Sequence, residues 1–67
     1  MKRIRLESAG AGTVTFTQYK EGGKVKIDIK YGTLGGYDVV YATPDKANEF
    51  YKKRLADGYK RVLSESR

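Results

Sequence analysis

Residues 24–31 read KVKIDIKY, and their alternation decides the fold. Val25, Ile27, Ile29 and Tyr31 fall on one side of an extended chain. Lys24, Lys26, Asp28 and Lys30 fall on the other. Successive side chains of a strand point to opposite faces, so a period of two predicts a half-buried strand. Toward the N-terminus, Gly22 and Gly23 supply a tight hairpin turn. Before it, residues 13–19 (TVTFTQY) alternate again, with Val14 and Phe16 on one face and Thr13, Thr15, Thr17 and Tyr19 on the other. Residues 8–12 (SAGAG) break the pattern. Residues 2–7 (KRIRLE) form a further half-buried strand, with Ile4 and Leu6 inward and Arg3, Arg5 and Glu7 outward.

Toward the C-terminus, residues 31–36 (YGTLGG) end the central strand, and residues 37–42 (YDVVYA) form a fourth, less regular one. The character then changes. Thr43 is an N-cap whose side chain can accept from a free backbone N–H, and Pro44 suits the first helical position. Asp45 complements the positive end of the helix dipole. Ala47, Phe50, Tyr51 and Leu55 recur at spacings of three and four and define the helix's apolar face. Lys52, Lys53 and Arg54 sit late, and Gly58 closes the helix. Residues 59–63 (YKRVL) fit either a short fifth strand or a last helical turn, and SESR reads as a frayed tail. The expected fold is α+β: one domain over residues 1–67, a four- to five-stranded antiparallel meander with one C-terminal helix packed on one face. The opposite face is open to water.

Size and composition exclude much chemistry. A chain of 67 residues buries only about 60% of the surface its unfolded form exposes, which leaves little room for a water-excluding catalytic cavity. There is no Cys and no His, so disulfides, thiolate metal sites, cysteine nucleophiles and histidine acid–base chemistry are all absent. The carboxylates are scattered, and Glu49 makes an ordinary i,i+4 pair with Lys53. No enzymatic activity, metal or cofactor is expected. No apolar run approaches the roughly 20 residues of a membrane span. The basic start MKRIRLES has no apolar stretch behind it, and the cytoplasm is the expected compartment.

The formal charge is +6, from 14 basic and 8 acidic residues, which points to an anionic partner. YGTLGG is not a phosphate cradle. A dinucleotide loop must run from a strand straight into a helix, and this one runs into another strand. Its glycines serve hairpin geometry. What remains is a set of cations interleaved with aromatics. Arg3, Arg5, Lys24, Lys26 and Lys30 share the predicted open face, and Tyr31 and Tyr37 flank the glycine loop. Cations neutralise phosphates and rings stack on unpaired bases, so these seven residues are the expected site for DNA or RNA. A second basic group, Lys52, Lys53, Arg54, Lys60 and Arg61, reads as a solvated helix end. The alternative is a protein-interaction module or small regulator that docks on a larger enzyme through a strand edge or the tyrosine-rich loop.

The order of these pieces resembles the WGR domain, over about residues 13–62. Tyr31 stands at the family's tryptophan, Gly32 matches, Thr33 replaces the arginine, and Leu34 and Gly35 match. Residues 43–62 (TPDKANEFYKKRLADGYKRV) are similar to the family's helix and its close. The resemblance implies non-catalytic nucleic-acid binding, with the ring at Tyr31 against a nucleotide and basic residues on phosphates. Two of the three naming residues differ, and a threonine lacks the bidentate grip of an arginine on phosphate.

Overall fold

The computed structural model of the protein describes residues 1–32 and 35–66. Thr33 and Leu34, two of the positions that carry the family resemblance, lie outside the described residues, as does Arg67. The chain runs β1 (Lys2–Ser8), β2 (Gly12–Gln18), β3 (Val25–Tyr31), β4 (Tyr37–Ala42), α1 (Pro44–Ala56) and β5 (Lys60–Ser66). The five strands form one antiparallel sheet in the order β4-β3-β2-β1-β5. The first four strands are a meander. The helix then carries the chain across the sheet, so that β5 pairs with β1 at the far edge.

YKRVL is thus the start of a strand, not a last helical turn, and the strand continues through Ser66, where a frayed tail was expected. Pairing to β1 explains the length: Lys2 faces Ser66, and the ladder runs on to Glu7 opposite Lys60. The register slips by one residue between Arg5 and Leu6, leaving Val62 as the extra residue of a bulge.

The core is a single layer between sheet and helix. Leu6, Val14, Phe16, Val25, Ile27 and Ala47 are buried, and Ile4, Ile29, Ala42, Phe50, Tyr51 and Tyr59 pack against them. The Phe16 ring takes two edge-on contacts, from Phe50 at 5.9 Å and Tyr51 at 5.8 Å between centroids. Such contacts pin the helix over the middle of the sheet. The helix start is as the sequence predicts: Thr43 Oγ1 accepts from the Lys46 N–H at 3.4 Å, and Pro44 opens the first turn.

The inner face of the helix differs from expectation at its C-terminal end. Leu55 is exposed, and Arg54 occupies the inward position instead. Its guanidinium lies 4.9 Å from the Phe50 ring centroid and 6.0 Å from that of Tyr59, and it pairs with Asp57 at 3.0 Å. Arg54 is therefore no part of a solvated basic cluster. Its aliphatic stem extends the apolar stripe of Ala47, Phe50 and Tyr51 while its head reaches the helix end.

One glycine is required by close approach. Gly12 has φ +122°, and a Cβ there would collide with the Lys30 carbonyl across the β2–β3 ladder. The backbones can cross this closely only without a side chain.

Candidate nucleic-acid interface on the open sheet face

Residues opposite one another in an antiparallel sheet share a face. The register therefore sorts the open face into three rows. One row is Tyr41, Lys26, Thr17, Arg3 and, by register, Glu65. The middle row is Val39, Asp28, Thr15, Arg5 and Leu63. The third is Tyr37, Lys30, Thr13, Glu7 and Lys60. Arg3, Arg5, Lys26 and Lys30 thus stand on one face, as their alternation predicts.

They do not make an uninterrupted cationic patch. Asp28 lies between the two β3 lysines, and Lys26 Nζ approaches its carboxylate at 3.8 Å. The Tyr37 hydroxyl donates to Asp28 Oδ1 at 2.6 Å. That bond, aided by partial desolvation and the charges of Asp28 and Tyr41, raises the Tyr37 pKa above its ordinary value. Glu7 stands beside Lys30 and Arg5 in the shallow depression that these residues line with Asp28 and Tyr37. Two cations and two anions meet there, so the depression is formally neutral.

The row from Tyr41 to Arg3 has a different character. It carries two cations and an exposed ring, and the register adds one carboxylate residue, Glu65, at its β5 end opposite Arg3. Thr17 is only 3% exposed although no helix covers this face. Its cross-strand neighbours Arg3 and Lys26 are both half-buried, which places their stems along the sheet.

Three expected site residues fall elsewhere or in altered roles. Lys24 precedes β3 and is outside the ladder. Tyr31 lies on the helix face, opposite to the cations, and its hydroxyl donates to Asp38 Oδ2 at 3.3 Å. Its ring is 45% exposed and lies against Gly36, so it is neither core nor part of the basic face. Tyr37 is on the open face, with its hydroxyl engaged by Asp28. Tyr41 and Lys60 join the face without having been assigned to it, as do the apolar Val39 and Leu63. Tyr41 has the same parity as Tyr37, which was the available signal. Lys60 reaches the open face through its pairing with Glu7, whereas Arg61 turns to the helix face opposite Leu6. Lys52 and Lys53 remain exposed on the helix.

Among the described residues no three acidic, His or Cys side chains gather to hold a metal, and no helix is long and apolar enough to cross a membrane. No family model, curated protein or solved structure matches the chain.

Proposed function

We propose that the protein is a small, non-catalytic nucleic-acid-binding domain of low sequence specificity, and that it takes a single strand across its open sheet face. The observation that carries this reading is the row Tyr41–Lys26–Thr17–Arg3, which sets a ring and two cations in register across the open sheet face, with Glu65 only at its β5 end. Rings on such a surface stack on unpaired bases, while cations beside them neutralise the phosphates between. Arg5 and Lys30 flank the path and add to the field, offset by Asp28 and Glu7. The chain's net charge of +6 supports the same reading through long-range attraction. The family resemblance agrees in kind, since WGR domains commonly bind nucleic acid, although Tyr31, its anchor residue, faces away from this row.

The test is titration of a short single-stranded oligonucleotide at several salt concentrations. Affinity falls with salt in proportion to the number of phosphates neutralised. Replacing Arg3 and Lys26 together by Gln flattens the log–log slope by about 1.4, roughly 0.7 for each phosphate contact on a single strand. Tyr41→Ala weakens binding by about 1–3 kcal/mol, the range for one stacked base. Lys24→Gln serves as a control outside the row. Absence of binding at low salt, or a salt slope that Arg3 and Lys26 do not affect, refutes the assignment.

A further inference from the structure

We propose that β4 is a dimer interface, at which two copies of this chain pair their β4 strands antiparallel about a two-fold axis and fuse their sheets into one. The inference is independent of nucleic-acid binding.

It begins with the backbone of β4. Tyr31 N–H donates to Gly36 O at 2.8 Å, so these two residues are a hydrogen-bonded pair of the β3–β4 ladder. Bonded and non-bonded pairs alternate along an antiparallel ladder. By the register, Asp38, Val40 and Ala42 then turn their N–H and C=O groups to β3. Tyr37, Val39 and Tyr41 turn theirs outward, where β4 has no neighbouring strand.

The two edges of this sheet are built differently. β5 carries a bulge at Val62 and the adjacent cations Lys60 and Arg61, features that blunt an edge against pairing. β4 has no bulge against β3, no Pro and no Lys. Every residue from Tyr37 to Tyr41 is exposed, and Asp38 is the sole charge. An edge of this kind is a template for another strand.

The strand that fits it best is its own copy. Facing residues in a continuous sheet lie on the same side, so a two-fold pairing must match odd with odd and even with even. Setting Val39 opposite Val39 of the second copy brings Tyr37 opposite Tyr41 of that copy, and the reverse. All the outward N–H and C=O groups of Tyr37, Val39 and Tyr41 then find partners. Aromatic and β-branched cross-strand pairs favour such contacts. On the other side Asp38 meets Val40, so the two carboxylates do not face each other. Charge points the same way. Each copy is strongly basic, but Arg3, Arg5, Lys60 and Arg61 lie on β1 and β5. Joining through β4 puts these four cations at the two outer ends of the fused sheet, where their mutual repulsion is least, while Lys26 and Lys30 of β3 stand one strand from the interface with Asp28 between them.

The experiment is sedimentation of the full chain, with amide hydrogen exchange on the same samples. The parent is expected to dimerise, with the Tyr37, Val39 and Tyr41 amides protected. Val39→Pro removes an outward N–H and leaves the β3 ladder whole, and Val39→Lys sets two ammonium groups face to face at the axis. Both are expected to be folded monomers in which the remaining outward amides exchange freely, while Val39→Thr still dimerises. If Val39→Pro fails to fold, Val39→Lys decides alone, because its side chain is exposed. A parent that stays monomeric at millimolar concentration overturns the proposal. So does one that dimerises equally well as Val39→Lys, or one whose β4 amides are protected only on adding an extended peptide of unrelated sequence.

Discussion

The hydroxyl of Tyr37, on the edge strand, donates a 2.6 Å hydrogen bond to Asp28 on the neighbouring strand and so partly masks the anion within the cationic face. The bond favours the protonated phenol, and Tyr37 ionises above the ordinary tyrosine value. The stabilisation it provides is present below that ordinary value and is lost as pH climbs from there through the raised one. An NMR titration of the ring should show Tyr37 ionising above the ordinary tyrosine value, and Asp28→Ala should return it to the ordinary range. Ionisation of Tyr37 at the ordinary tyrosine value would mean the bond does not persist in solution.

Phe50 and Leu55 should separate cleanly in stability. Phe50 meets the buried Phe16 ring, and truncation to Ala should cost about 3 kcal/mol, the low end for a core ring because Phe50 is only half-buried. Leu55→Ala should stay within about 0.5 kcal/mol of the parent. Urea melts of the two variants check this, and similar losses would show that the helix is rotated from the orientation described.

Arg54 should matter through its shape as much as its charge. The planar group lies between the Phe50 and Tyr59 rings and reaches Asp57. Arg54→Lys keeps the charge but loses the flat stack, and should cost about 1 kcal/mol. Arg54→Ala should cost more, since the stem that covers the core is also lost. A lysine variant with the parent's melting temperature would reduce Arg54 to a simple point charge.

Gly35 in a loop and Gly12 at the start of β2 make a further contrast. Gly35 has φ +72° and open space around its Cα, so Gly35→Ala suffers backbone strain alone and should cost about 1 kcal/mol. Gly12→Ala combines an unfavourable φ with a collision against the Lys30 carbonyl, and should prevent the β2–β3 ladder from closing. Circular dichroism of the two variants tests this: a folded Gly12→Ala protein would show that the strands can separate there without losing the sheet.

Much of this fold is legible in short-range patterns. The strict alternation of residues 24–31 and the Thr43-Pro44-Asp45 start report local geometry, and both appear in the structure. What escapes is set by register and by long side chains. Val62 and Leu63 sit side by side because Val62 is bulged, so β5 shows no clean alternation. Arg54 lies seven residues after Ala47, at an inward helical position, but its charge suggests solvent when its stem is in fact core. On the open face, strand parity groups Arg3, Arg5, Lys26 and Lys30 as the register does, but it also includes Lys24, which precedes β3. Only the alignment of β3 with β4 brings Tyr37 within reach of Asp28 and sets Tyr41 in line with Lys26.

The position of β5 also dictates a sequence of events. The hairpins joining β1 to β2, β2 to β3 and β3 to β4 are local, and loops that short close quickly. β1 gains its outer neighbour only when the helix has crossed the sheet, with Lys2 pairing to Ser66 from nearly the opposite end of the chain. Until then β1 is itself an unprotected border, bearing Ile4 and Leu6 on the side the helix will cover. During synthesis β1 would therefore be held out, half-clad and adhesive, until β5 emerges to shield it.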